Sequence, residues 1–110
     1  MFSIFKKKPA ATTDLGWLQT DLHSHLVPSI DDGSPDMATT LELIRGLKEL
    51  GFASLITTPH ILWELYPNTP EIITKGSTEV QQQLREETIQ IPFKAAAEYY
   101  IDEHFDNDLK

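Results

Sequence analysis

The sequence predicts an α/β fold of order βαβαβ with parallel strands. Three features predict it: an apolar stripe at helical spacing over Pro35–Leu50, short apolar runs on either side of it, and histidines and carboxylates at the ends of those runs.

The first run, Trp17–His23, alternates apolar residues and then turns polar, as a buried strand does when it delivers functional groups at its carboxyl end. A loop rich in Asp, Gly, Ser and Pro follows. Met37, Leu41, Ile44 and Leu47 then recur at helical spacing, with Leu43 and Leu50 widening the stripe. Ser34 suits the N-cap, Pro35 the first turn, Asp36 the helix dipole, and Gly51 the stop. Phe52–Thr58, β-branched and bounded by Gly51 and Pro59, reads as a second buried strand. Strand, helix, strand implies a parallel pair joined by a crossover. A second helix starts at Thr69-Pro70-Glu71 and runs to about Glu87, with Ile73, Val80 and Leu84 on one side and Gly76 weakening it modestly. Ile91–Glu98 supplies a third strand, and Tyr99–Lys110 begins a further acidic segment.

Composition narrows the function. The chain has 110 residues, enough for one domain, a net charge of −8, and no basic stripe interleaved with aromatics, so nucleic acid is an unfavourable partner. No apolar run reaches the roughly 20 residues that a transmembrane helix needs. The opening Met1–Phe5 followed by Lys6-Lys7-Lys8 reverses the order of a secretory signal, so residues 1–16 read as a flexible tail of a cytoplasmic protein. With no cysteine, thiolate zinc sites and cysteine-nucleophile phosphatase chemistry are both excluded.

In Asp21-Leu22-His23-Ser24-His25 the imidazoles lie two residues apart, so on an extended strand both face one side and can converge on one ion. Asp31-Asp32-Gly33 lies in the following loop, where one aspartate could turn back over the strand end. His60, after Thr58-Pro59, ends the second strand, and Glu98, after Ala95-Ala96-Ala97, ends the third. Singly, each has a plainer reading: ordinary histidines, or an Asp-Gly turn before a helix. Jointly they offer His, His, Asp, His and Glu to one rim. A carboxylate in a buried strand is costly unless paired or ligated, and this mixed set without thiolates suits Mn2+, Fe2+ or Zn2+.

This string of motifs, Asp21-Leu-His-Ser-His25, Asp32-Gly33, Thr58-Pro59-His60 and Ala97-Glu98-Tyr99-Tyr100, resembles the first motifs of the PHP (polymerase and histidinol phosphatase) superfamily. Within it the Asp31-Asp32-Gly33 and Glu98-Tyr99-Tyr100 segments are most similar to the manganese-dependent tyrosine phosphatases of capsular and exopolysaccharide assembly. The resemblance implies that residues 17–110 form the N-terminal βαβαβ part of a distorted (β/α)7 TIM-like barrel, an incomplete PHP domain. It implies that His23, His25 and a bridging Glu98 hold one ion, and that Asp32 and His60 belong to another, in a cluster of up to three, Mn2+ first with Fe2+ or Zn2+ as alternatives. Asp31 is left to the turn, Asp21 is a candidate to orient an imidazole, and His104 reads as an exposed helix start. The implied reaction is hydrolysis of phosphotyrosine on a capsule-assembly kinase tail. The rivals are a small-molecule phosphate monoester as substrate, or a non-catalytic metal-binding module. Later family motifs, including further histidines and a phosphate-binding arginine, have no match after Glu98. The chain is therefore expected to be inactive alone and to self-associate through open strand edges.

Overall fold

The computed structural model describes residues 16–109, so the tail expected over residues 1–16 lies, but for Gly16, outside the described residues. After a 3-10 turn at Gly16–Leu18 come β1 (Thr20–Asp21), α1 (Met37–Glu49), β2 (Ser54–Thr57), β3 (His60–Ile61), α2 (Pro70–Glu86), β4 (Phe93–Ala95), β5 (Glu98–Tyr99) and the short α3 (Phe105–Asp108). The sheet order β1-β2-β4 is parallel throughout, and β3 pairs with β5 in the same sense. The α/β fold with parallel strands is thus present. Among the described residues no helix is long and apolar enough to cross a membrane.

The third expected strand is divided, and the second continues past its expected end at Thr58 in a separate piece. Leu55 faces Phe93 and His60 faces Glu98, an offset of 38 residues in both ladders, so β2–β3 and β4–β5 are two long strands in one register. Ala96 N–H donates to Thr57 O at 2.9 Å and Glu98 N–H to Pro59 O at 2.9 Å, which carries the pairing across the gap. The interruption has a local cause: Pro59 has no N–H, and Thr58 N–H turns away to Ser24 O at 2.6 Å. That bond also extends the β1 side of the sheet beyond Asp21.

The first strand is shorter than the pattern Trp17–His23 predicts. Gln19, at φ 64°, turns the chain between the 3-10 turn and β1, and its carbonyl accepts Ala53 N–H and Ser54 N–H. In α1 the cap is Asp36, whose carboxylate accepts Thr39 N–H at 2.7 Å, and not Ser34. Ser34 is buried, its hydroxyl donating to Asp36 O, so it serves the interior instead. Pro35 consequently precedes the helix. Leu43 is exposed, while Thr40, skipped by an apolar count, is fully buried with its hydroxyl 2.7 Å from Leu26 O. The α1 stop is as expected: Gly51 at φ 107° lets Gly51 N–H reach Lys48 O and Phe52 N–H reach Leu47 O.

The core joins Leu26, Leu41, Ile44, Phe52, Leu55, Val80, Leu84, Ile91 and Phe93, drawing on both helices and the sheet. Each such side chain contributes about 1.5–3 kcal/mol on burial, which outweighs the surface ion pairs. On α2, Gly76 has a packing role: a Cβ there would lie 2.3 Å from Val27 Cγ1, and Val27 is buried and stiff at χ1. Gly76→Ala should therefore lower stability by about 1–3 kcal/mol despite alanine's better helix propensity, read as a fall in the urea midpoint. Helix α2 ends with the hydrogen bonds Thr88 N–H to Arg85 O and Ile89 N–H to Leu84 O, and with an exposed Thr88 at φ 56°. A β-branched residue is strained there. Thr88→Gly should raise stability by about 1 kcal/mol, seen as a higher melting temperature.

Candidate metal centre

The histidines and acids meet where the strands end. The His23–His25 segment is held against β2 by Thr57, whose hydroxyl accepts Leu26 N–H at 2.8 Å and donates to Ser24 O at 2.9 Å, bracketing His25 on both sides. The β2–β3 interruption then places His60 beside it, with the two rings 4.3 Å apart. Register does the rest: His60 and Glu98 are direct partners in the β3–β5 ladder.

Glu98 Oε2 is the centre of the group. His60 Nδ1 lies 3.1 Å from it, His25 Nε2 3.4 Å and His23 Nε2 3.9 Å. On the far side of its ring, His60 Nε2 lies 3.3 Å from Asp32 Oδ1. The five residues singled out from the sequence are therefore brought together, as two overlapping sets: His23, His25 and Glu98, and His25, Asp32 and His60 with Asp31. Glu98 is less buried than its run of alanines suggests, its side chain being 35% exposed, because Ala96 is at the surface.

The donor set fits a divalent cation on two grounds. Glu98 Oε2 and His60 Nδ1 are both buried and neither has a hydrogen-bond partner, although they are 3.1 Å apart, so they meet without a proton aligned between them. Such orphaned atoms cost free energy unless something else satisfies them. Secondly, two ligand atoms each about 2.1 Å from one ion stand about 3.0–3.4 Å apart in octahedral or tetrahedral arrangements, and the His25–Glu98 and His60 Nε2–Asp32 separations fall in that range.

Several residues that sequence spacing passed over support the group. Asp31, left to the turn, has a fully buried carboxylate: Oδ2 meets His25 Nδ1 at 2.9 Å and accepts His60 N–H at 3.0 Å, and Oδ1 accepts Gly33 N–H at 3.0 Å. Burial pulls its pKa upward, but the bonds from His25, His60 N–H and Gly33 N–H outweigh it and hold the carboxyl below its ordinary value. The carboxylate hydrogen-bonded to the outer nitrogen of the His25 ring is thus Asp31, whereas Asp21 lies in β1. Asn68 donates both amide protons, to Ile30 O at 2.9 Å and His60 O at 2.8 Å, tying the Asp31 loop to β3. Tyr66 stacks on the His60 ring at 5.5 Å, with Tyr100 at 5.2 Å. Burial, then Asp32 and Asp31, push the Tyr66 phenol upward, so it stays a donor at neutral pH. His104 stands apart from both sets, at the N-cap of α3 against Trp63.

A parallel sheet carrying imidazoles and carboxylates at its carboxyl-end rim, without thiolates, defines a candidate divalent-metal site on an α/β scaffold. The chain belongs to the family described as capsular polysaccharide synthesis, CpsB/CapC, which it matches over residues 19–110. It is 29% identical over 89 residues to the tyrosine-protein phosphatase YwqE of Bacillus subtilis (strain 168), covering 81% of this chain and 35% of YwqE. It is also similar, with a TM-score of 0.74 and 29% identity over 82% of this chain and 36% of the other, to a solved structure from a description of YwqE of Bacillus subtilis and CpsB of Streptococcus pneumoniae as unique metal-dependent tyrosine phosphatases. The chain spans about a third of the length of these relatives. The resemblance read from the motifs between Asp21 and Asp102 is thereby borne out at the level of the family.

Proposed function

We propose that this chain supplies the first part of the metal centre of a protein-tyrosine phosphatase acting in capsular or exopolysaccharide synthesis. The observation that carries it is the buried Glu98 Oε2, unpaired by any hydrogen bond and ringed by nitrogens of His23, His25 and His60 at 3.1–3.9 Å. In this reading His23, His25 and Glu98 would hold one ion, and Asp32 and His60 would belong to another. Manganese is the proposed cofactor, in a cluster of up to three ions completed by residues of a longer (β/α)7 barrel. The likeness to YwqE and CpsB supports phosphotyrosine as substrate; the tail of a cytoplasmic capsule-assembly kinase is the substrate proposed.

Bound divalent ions supply Lewis acidity, neutralising charge on the phosphoryl oxygens. The chain's own residues do the positioning. Thr57 and Asp31 fix the His25 segment, Asn68 ties the Asp31 loop to β3, and the Tyr66 and Tyr100 rings hold the His60 imidazole. Of the side chains that would carry the ions, His23 is 64% and Asp32 61% exposed, whereas His60 is buried.

The test is phosphate release from a phosphotyrosine peptide and from a small phosphate monoester, with and without Mn2+, by the protein that carries this sequence. His23→Ala and Glu98→Ala should each lower peptide turnover by at least about 100-fold. Turnover that needs no divalent ion, or that survives both substitutions, would sink the proposal. Faster release from the small ester than from the peptide would move the substrate to the rival class. Residues 1–110 alone are expected to release little phosphate and to associate through β1 and β4, each of which has one unpaired side among the described residues.

A further inference from the structure

We infer that Asp31 is a positioning residue that locks His25 in the Nδ1–H tautomer and so presents the Nε2 lone pair to the centre of the site. The chemistry is one-sided at this contact. The Asp31 carboxylate is fully buried and takes three donors: His25 Nδ1 at 2.9 Å, His60 N–H at 3.0 Å and Gly33 N–H at 3.0 Å. An ionised carboxylate only accepts, so the proton between Asp31 and His25 resides on Nδ1. The other nitrogen, Nε2, is then bare and lies 3.4 Å from Glu98 Oε2. A metal ligand needs that bare nitrogen, and a carboxylate on the opposite nitrogen fixes both which atom it is and where the ring points.

The neighbouring histidine provides an internal contrast. His23 Nδ1 meets Thr58 Oγ1 at 3.1 Å, and a hydroxyl can donate or accept. Its ring is also largely exposed. Nothing comparable fixes the His23 tautomer, so the two imidazoles of one H-x-H pair differ in preorganisation. Because Asp31 Oδ2 holds the backbone N–H of His60 as well, one side chain sets the placement of two candidate ligands that are 35 residues apart in sequence.

Asparagine in place of Asp31 cannot repeat the pattern. With its oxygen at the Oδ2 position it keeps the His25 and His60 contacts and loses only the Gly33 one; turned over, its NH2 faces His60 N–H and moves the His25 ring proton to Nε2, so it is alanine, without a polar end, that removes the lock in every orientation. The site reading enters only in the last step, since the tautomer can be read with no metal present.

The experiment is long-range 1H–15N spectroscopy of histidine-labelled chain, metal-free at about pH 8.5, where an imidazole is ordinarily neutral, followed by titration with diamagnetic Zn2+. His25 should show a protonated Nδ1 and an unprotonated Nε2, and Zn2+ should move Nε2. Asp31→Ala should shift the His25 pattern toward Nε2–H and weaken Zn2+ binding about 10–100-fold, while Thr58→Val leaves His25 unchanged. A wild-type His25 protonated on Nε2 would overturn the inference whatever the variant does, and so would Asp31→Ala with unaltered His25 nitrogens. Absence of Zn2+ binding with the Nδ1–H tautomer intact would count against the metal site and leave the role of Asp31 standing.

Discussion

Replacing Glu98 by Gln is expected to raise the melting temperature of the metal-free chain and to abolish most of the further rise that Mn2+ gives the natural sequence. The two effects have opposite signs because the same atom causes both. Glu98 Oε2 is buried without a donor, and His60 Nδ1, 3.1 Å away, is buried without a partner as well. An amide offers His60 Nδ1 a donor or an acceptor, whichever way the ring proton lies, which should recover about 1–2 kcal/mol. The amide is a far poorer ligand, and it stands where three imidazole nitrogens converge, so divalent-ion affinity should fall by about 100-fold or more, equivalent to about 2.7 kcal/mol. Thermal scans with and without Mn2+ check both. If Glu98→Gln lowered the metal-free melting temperature, the carboxylate would be a structural group, and the reading of it as a ligand awaiting an ion would lose its basis.

How much of this was legible in the sequence depended on how far apart the partners lie. The α1 stripe, its Gly51 stop, and the Thr69 cap of α2, whose side chain accepts Ile72 N–H, are all local signals and all recoverable. So is the convergence of His23 with His25, since the strand period alone puts them on one side. His60 and Glu98 required only that each end its strand, and the shared register then made them neighbours. Asp31 was hidden for the opposite reason. Beside Gly33 it has the appearance of a turn residue, and it does bond Gly33 N–H, but its distinctive contact with His60 N–H spans 29 residues. Thr40 likewise looks like a gap in an apolar stripe until Leu26 O supplies a buried partner for its hydroxyl. Helix ends without glycine give little warning: Thr88 takes the left-handed position that sequence reading reserves for Gly or Asn. The division of the long strands could have been anticipated at Pro59 but not at Ala96-Ala97, which break only because they pair with it.

Gly33→Ala is expected to be the most damaging single methyl that can be added to the chain near the site. Gly33 is not in a left-handed conformation; among the described glycines only Gly51 has positive φ. Its requirement is space. A Cβ would lie 2.2 Å from His25 O and 2.3 Å from His25 Cβ, well inside contact distance, and neither is the free end of a flexible side chain. The carbonyl cannot yield easily, because it accepts Ser34 N–H at 3.0 Å and so closes the loop that carries both aspartates. Relief must come from lifting residues 31–34 away from His25, which lengthens the Asp31–His25 contact and carries Asp32 off His60. The expected cost is about 3 kcal/mol of stability with a fall in divalent-ion affinity of about 100-fold. Gly46→Ala provides the comparison: it lies inside α1 with nothing within 4 Å of the added carbon, so helix propensity alone should act and stability should rise by about 1 kcal/mol. Urea midpoints of the two variants should therefore move in opposite directions. If both rise, close approach to His25 is not what keeps position 33 a glycine.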